Sequence, residues 1–154
     1  MDQGMSRHKR FFGRAVIPCE SVETYSARDN IRKTFEPQSS SVEEKLQALN
    51  ELHADNIKTY AFFGPILPYL SDQNLTETLH TIAHTGVSYI YVDKLNLKPG
   101  LWPTPNTFID KEQPNLQQKW QDIFISKNSN YYEDLKKRID DYCKKLNLEC
   151  RFCY

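Results

Sequence analysis

Cysteine is the residue type in this chain with the clearest potential to bind a metal. Cys150 and Cys153 form a Cys-x-x-Cys sequence, Cys143 precedes them, and three thiols with one histidine can hold zinc. A tetrahedral zinc site usually pairs two such closely spaced knuckles, whereas this sequence has one. A redox Cys-x-x-Cys normally opens a helix, but here it falls in a predicted strand, whose alternation points the two side chains to opposite faces. We therefore predict buried or half-buried cysteines, assign no metal-binding residue, and expect the isolated chain to form no iron–sulfur cluster.

His80 and His84 are four residues apart on one predicted helix, which is a spacing that can chelate a metal. The zinc-protease motif needs a glutamate directly after the first histidine, and this chain has Thr81 there. We predict that both histidines lie on the surface of the helix. The sequence has no Gly-x-Ser-x-Gly elbow, Walker loop or Rossmann glycine fingerprint.

Two further motifs directly follow predicted strands. The sequence Gly64-Pro65-Ile66-Leu67-Pro68 combines a glycine, which lets a ligand approach the backbone, with two prolines that stiffen the turn. The same residues also fit an ordinary rigid turn. Arg32 follows an earlier predicted strand and either binds a carboxylate through two hydrogen bonds or forms a surface ion pair.

Basic and aromatic residues are interleaved near the N-terminus. The basic residues are Arg7, His8, Lys9, Arg10 and Arg14, and the aromatic ones are Phe11 and Phe12. This composition is typical of a segment that holds a phosphate backbone and stacks on bases, and equally of a solvated terminus. We predict a disordered basic leader over residues 1–14, with nucleic acid as a weakly supported partner.

The composition limits the class of protein. The 154 residues carry 20 basic and 20 acidic side chains, which excludes a globally basic nucleic-acid binder. A membrane helix needs about 20 apolar residues, and no run approaches that length, so we predict no membrane partner. No apolar region follows the basic N-terminus as in a signal peptide, which predicts a cytoplasmic protein with reduced thiols.

The period of the apolar residues predicts elements that alternate between strand and helix. Strands are predicted at residues 22–25, 57–63 and 87–92, with helices between them. The first helix has two overlapping capping boxes, Ser40 with Glu43 or Ser41 with Glu44, and Asn56 ends it in a left-handed conformation. Asn74 and Gly86 bound the second helix. Such βα units predict a parallel sheet that binds ligands at the carboxyl ends of its strands.

The C-terminal part has a weaker pattern. Four prolines predict a long loop near residues 98–115. Two helices follow, the second capped by Asn130, and residues 148–154 complete the sequence as a strand. We assign residues 15–154 to one domain.

The order of the strand-end motifs resembles the C-terminal half of radical S-adenosylmethionine (SAM) proteins. The group is the spore photoproduct lyase-like one, also called DNA repair photolyase-like, and the resemblance covers about residues 22–100. The residues that carry it are Arg32-Lys33-Thr34-Phe35-Glu36-Pro37, Ile57-Lys58-Thr59-Tyr60, Gly64 to Pro68, and Gly86-Val87-Ser88-Tyr89-Ile90-Tyr91-Val92-Asp93-Lys94-Leu95-Asn96.

The resemblance implies a fold and two cofactors. The fold is a partial parallel βα barrel, to which this chain supplies the fourth to sixth strands and C-terminal helices. A Cys-x-x-x-Cys-x-x-Cys loop of the family holds a 4Fe-4S cluster, which cleaves SAM reductively to a 5′-deoxyadenosyl radical. The protein orients SAM and excludes water, while the cofactors carry the chemistry.

The resemblance also implies SAM-binding residues. Thr24 and Ser26 would face the ribose or methionyl group, and Arg32 would pair with the SAM carboxylate. Gly64 and Ile66 match the turn that flanks adenine, and Asn96 lies at the end of the sixth strand, which also approaches adenine. No catalytic residue is assigned.

The sequence departs from the family in one decisive respect, because Cys-x-x-x-Cys-x-x-Cys is absent. We therefore predict the C-terminal half of a radical SAM protein that contributes SAM-binding elements and is inactive alone. Its partner would be a separate N-terminal half chain that carries the cluster. The alternatives are a non-catalytic nucleotide or nucleic-acid binding domain and an inert remnant of a split gene.

Overall fold

The computed structural model describes residues 14–17, 40–97, 103–126 and 129–154, which form four strands and five α-helices. The strands are β1 (Arg14–Ile17), β2 (Tyr60–Ile66), β3 (Tyr89–Lys94) and β4 (Glu149–Phe152). The helices are α1 (Val42–Ala54), α2 (Leu75–His84), α3 (Pro103–Glu112), α4 (Gln117–Phe124) and α5 (Tyr131–Lys145), with a 3₁₀ helix (Pro114–Leu116) before α4. In the described ranges, no helix is both long and apolar enough to cross a membrane.

The four strands form one parallel sheet whose spatial order, β1-β2-β3-β4, is also their order in the chain. Tyr60 of β2 lies opposite Arg14 of β1 and Tyr89 of β3, and Tyr89 lies opposite Glu149 of β4. Right-handed crossovers between strands added in one direction place their helices on the same face of the sheet. This topology favours helices on one face, and α1, α2 and α5 all pack in the same cluster with the buried residues of β2 and β3.

The predicted partial βα barrel is wrong. The described strands form a small open sheet in which β1 and β4 are the two outer strands. The spacing of apolar residues predicts individual βα units. Closure of a barrel depends on the tilt and stagger of the strands, which this spacing does not determine.

Local signals fixed the ends of several helices as predicted. Of the two possible capping boxes, the structure has the one formed by Ser41 and Glu44. The Glu44 amide donates to Ser41 Oγ at 3.1 Å, and the Ser41 amide donates to Glu44 Oε2 at 2.9 Å. Asn56 takes the left-handed conformation with φ 56°, and Gly86 has φ 77°. Asn74 and Asn130 precede α2 and α5, but without a side-chain capping hydrogen bond.

Prolines misled the prediction of two boundaries. The second predicted strand was expected to stop at Gly64-Pro65, yet β2 continues to Ile66 across a cis Gly64–Pro65 bond and an irregularity in register. Residues near 98–115 were predicted as a loop, yet Pro103–Glu112 form α3. Pro103 and Pro105 lie in its first turn. Backbone N–H groups there have no acceptor within the helix, so proline, which lacks an N–H, is tolerated.

Most of the predictions for the N-terminal residues concern positions outside the described ranges. The predicted strand at residues 22–25 and residues 1–13 of the predicted leader lie outside the described residues. Arg14, placed last in that leader, is instead the first residue of β1.

Two apolar clusters hold the described elements together. The main cluster joins one face of β2 and β3 to α1, α2 and α5; its largest members include Leu49, Phe63, Leu79, Ile82, Ile90 and Ile139. The second cluster joins α3, α4 and the segment after β2, and consists of Leu67, Phe108, Ile109, Leu116 and Trp120. The segment directly after β2 is therefore held against α3 and α4 by a cluster separate from the main one.

Candidate functional site

The carboxyl ends of β2 and β3 meet at the edge where a parallel sheet binds ligands. Gly64 lies so close to β3 that a Cβ atom on it would be 2.7 Å from the Asp93 carbonyl oxygen. Two of the strand-end motifs are thus in direct contact. The contact also shows why residue 64 is glycine: the approach of β3 leaves no room for a side chain there.

Ile66 is placed differently from what the resemblance implied. Its side chain is 1% exposed and belongs to the main cluster, so it does not present a surface to adenine. Its carbonyl oxygen accepts hydrogen bonds from the Tyr132 hydroxyl at 3.1 Å and from the Leu95 amide at 3.3 Å. Ile66 therefore organises this edge of the sheet through its backbone and the core.

Of the other residues assigned to SAM, Asn96 is the one that the structure describes. Asn96 is exposed and follows β3. Thr24, Ser26 and Arg32 lie outside the described residues. The structure brings Gly64 to the segment that ends in Asn96, and it gives no placement for the remaining three.

A cluster of two lysines and aromatic rings occupies the same edge and was not predicted. Lys94 Nζ lies 5.0 Å from the ring centre of Tyr154 and 5.6 Å from that of Tyr132. Lys136 Nζ lies 5.0 Å from the ring of Phe152 and donates to the Tyr154 carbonyl at 3.3 Å. These contacts are cation–π interactions, which hold the two ammonium groups over the rings. The only signal in the sequence was Lys94 at the end of a strand.

Tyr154 contributes a buried hydroxyl group to this edge. Its hydroxyl is buried and has no hydrogen-bond partner among the described residues. Burial raises the pKa of Tyr154 to about 12, with smaller contributions from Glu133, Cys150 and Asp93. The phenol is therefore neutral at physiological pH.

The face of the sheet opposite the main cluster carries a ladder of aromatic side chains, Tyr60, Tyr89 and Tyr91, which we call the aromatic face. The rings of Tyr60 and Tyr89 stack with their centres 5.2 Å apart and an angle of 2° between planes. Tyr91 contacts both rings edge-on, and the Arg151 guanidinium carbon lies 3.8 Å above the centre of Tyr89. All three tyrosines are half-buried, and Arg151 is exposed.

Parallel sheets usually have both faces covered. Helices α1, α2 and α5 contribute to the main cluster, and the tyrosines of the aromatic face do not belong to it. The alternation of aromatic residues along β2 and β3 was the signal for this face.

The cysteines near the C-terminus do not form a metal site. Cys143 is buried on α5, Cys150 is half-buried on β4, and Cys153 is exposed, so the prediction of buried or half-buried cysteines is wrong for Cys153. A hydrogen bond between Cys143 and Cys150, together with burial, raises the pKa of the Cys150 thiol. In the part of the chain that the structure describes, no three histidine, cysteine or acidic side chains could hold a metal ion together. These residues therefore do not fit an iron–sulfur cluster.

Comparison with known proteins gives one partial similarity. The chain is 38% identical over 69 residues to an uncharacterized protein of Methanocaldococcus jannaschii; these residues are 45% of this chain and 26% of that protein. The match thus spans about a quarter of the relative's length. No family model matches the chain. No solved structure matches it.

Proposed function

We propose that this chain is the SAM-binding part of a radical SAM enzyme and works with a second chain that carries the 4Fe-4S cluster. The observation that carries the proposal is the contact between the Gly64 turn and the segment from Asp93 to Asn96. These are two of the motifs on which the resemblance rests, and they meet at the ligand-binding edge of a parallel sheet.

The division of roles between two chains follows from the cysteines. Cys143 and Cys150 contact each other, but with Cys153 they do not form a group of three metal ligands, so in this proposal the thiolates of the cluster come from the partner. Bound together, the two cofactors supply the reductive cleavage of SAM. This chain contributes the exposed amide of Asn96 toward adenine and helps to exclude water from the carboxyl edge.

The two surfaces offered to the partner are an outer strand and the aromatic face. β1 pairs with β2 on one side and is the first strand of the described sheet, so its other side presents backbone groups for a further strand. A partner made of βα units extends the sheet there and covers the aromatic face. We also propose a cytoplasmic location for this complex.

The test uses the complete chain and the product of the reading frame immediately upstream of its gene, provided that this frame encodes Cys-x-x-x-Cys-x-x-Cys. The two proteins are mixed, supplied anaerobically with iron, sulfide and a reductant, and assayed for 5′-deoxyadenosine. We expect a stable complex that forms 5′-deoxyadenosine and neither protein active alone. Absence of such a frame, of a complex or of the product overturns the proposal.

A matched pair of variants tests the residue assigned to adenine. Asn96→Ala removes one exposed amide at the carboxyl edge, and Asn115→Ala removes one on the 3₁₀ helix. Loss of a hydrogen bond worth about 0.5–1.5 kcal/mol corresponds to an increase of about 2- to 10-fold in the KM for SAM. We expect this increase for Asn96→Ala only. Equal values for the two variants contradict the assignment.

The aromatic face favours a second candidate, a module that binds the bases of single-stranded nucleic acid. Sequence-tolerant binding of this kind combines aromatic rings with basic side chains, and stacking contributes about 1–3 kcal/mol per base. The stacked rings of Tyr60 and Tyr89 and the guanidinium of Arg151 provide both elements.

Binding of a fluorescent single-stranded oligonucleotide at low salt distinguishes this candidate. We expect Arg151→Gln to weaken binding about tenfold, because it removes a cation that lies on the stacking surface. Arg138→Gln removes the same charge from an exposed arginine on α5 that pairs with Asp72, so it is the matched control. Equal loss in the two variants, or no binding by the wild type, contradicts the second candidate.

A further inference from the structure

The two histidines on α2 form a pair that neither proposed function uses. His80 and His84 are both exposed, as predicted, and their ring centres lie 4.0 Å apart with an angle of 36° between the planes. Two nitrogen ligands that are each about 2.0–2.1 Å from one zinc ion lie within about 4 Å of each other. Because the nitrogens lie on the perimeter of each ring, ring centres 4.0 Å apart allow one nitrogen of each histidine to come within this limit after side-chain rotation.

A backbone hydrogen bond sets the tautomer of His84. Its Nδ1 lies 2.8 Å from the carbonyl oxygen of His80. A carbonyl oxygen only accepts, so Nδ1 carries the proton of the neutral ring and Nε2 keeps its lone pair. Metal-binding histidines commonly donate their second nitrogen to a carbonyl in this way, which orients the ring and increases its basicity as a ligand.

The histidines border a groove between α1 and α2 that has room for an ion and its water molecules. Its volume is about 300 Å³, and its lining residues are Leu46, Asn50, His80, Thr81, His84 and Thr85. The amide of Asn50 and the hydroxyl group of Thr81 offer polar partners for water bound to the ion. The site thus has two nitrogen ligands from the protein and open positions for water.

We propose that His80 and His84 bind a divalent transition-metal ion, such as Zn²⁺ or Ni²⁺, at this groove. Imidazole nitrogen is a ligand suited to both ions. With two protein ligands the site is weaker than a closed structural zinc site, which has four. By bridging successive turns, the ion stabilises α2 in the folded state but not in the unfolded chain.

The proposal is tested with NiCl₂ and ZnCl₂ on the full chain. All samples carry Cys19→Ser and Cys153→Ser, so that these two thiols do not compete for the metal. Calorimetric titration is expected to show one ion per chain, and the melting temperature is expected to increase with metal and to return to its original value with a chelator.

Single substitutions identify the ligands. Loss of a residue that only orients a metal ligand typically weakens metal binding about 10- to 100-fold. We expect His80→Gln and His84→Gln, which each remove a ligand, to increase the Kd for the metal by more than this. His53→Gln is the matched control, because it removes an exposed histidine of α1 that does not line the groove. Equal binding by all three variants, loss in His53→Gln alone, or no binding by the starting protein overturns the proposal. Circular dichroism without metal verifies that each variant is folded.

Discussion

Trp120→Ala is expected to lower the free energy of unfolding by about 3–5 kcal/mol, which is the usual effect of truncating a buried tryptophan. Trp120 is 1% exposed and is the largest side chain of the second cluster. Its indole Nε1 also donates to the Pro68 carbonyl at 3.0 Å, so the variant removes a buried hydrogen bond together with the apolar contacts.

The measurement is urea unfolding followed by far-ultraviolet circular dichroism, which does not depend on tryptophan fluorescence. Ile125→Ala is the matched control, since Ile125 directly follows α4 and is 60% exposed. We expect this control to change stability by no more than about 0.5 kcal/mol. A loss of less than about 1 kcal/mol for Trp120→Ala contradicts the role of the second cluster.

Hydrogen exchange shows how far the effect extends. The second cluster contains residues of α3 and α4 and is distinct from the cluster that joins the sheet to α2 and α5. Elements with few shared contacts open as separate units. We therefore expect the amides of α3 and α4 in Trp120→Ala to lose more protection than those of β2 and β3. Equal loss in both regions shows that the two clusters unfold together.

Gly64→Ala is expected to destabilise the protein by about 1–3 kcal/mol, the usual cost of adding atoms to a packed position. The added Cβ would be 2.7 Å from the carbonyl oxygen and 3.2 Å from the amide nitrogen of Asp93. Both atoms belong to the backbone of β3, so the two strands must separate at the carboxyl edge. The same separation disturbs the edge at which we propose that SAM binds, and we expect lower SAM affinity in the proposed two-chain complex.

A double variant establishes the cause of this effect. Asp93→Gly removes the Asp93 Cβ, which is 3.1 Å from the added atom, but leaves the closer carbonyl oxygen in place. We therefore expect the double variant to stay destabilised relative to Asp93→Gly alone, with a lower urea midpoint and an unchanged denaturant slope. Recovery of the full stability of Asp93→Gly indicates that the side chain, not the backbone, causes the clash.

Signals that act within a few residues could be predicted from the sequence. The capping box of Ser41 and Glu44, the left-handed Asn56 and the β2-α2-β3 unit depend on spacing and on intrinsic conformational preference. The prolines were harder to interpret, because a proline suits the first turn of a helix as well as a loop. Pro103 begins α3, and the prediction of a continuous loop failed for that reason.

Features that depend on several elements could not be predicted in the same way. Whether parallel strands form an open sheet or a barrel depends on their stagger and tilt, and the barrel prediction failed at this level. At the candidate site, the sequence left Gly64 open between room for a ligand and an ordinary rigid turn, and the structure shows β3 beside it. The aromatic face depends on which side of two strands the helices occupy, information that exists only after the strands have paired.

The agreement between strand order in space and in the chain has a consequence for biosynthesis. A polypeptide leaves the ribosome from its N-terminus, and its early segments fold first. Among the four described strands, each is added beside the one made before it, and none has to insert between two strands already paired. During translation, the most recently made strand of this sheet is therefore an outer strand with which the next strand can pair. A gene for such a protein can be divided between units without leaving a gap inside either product.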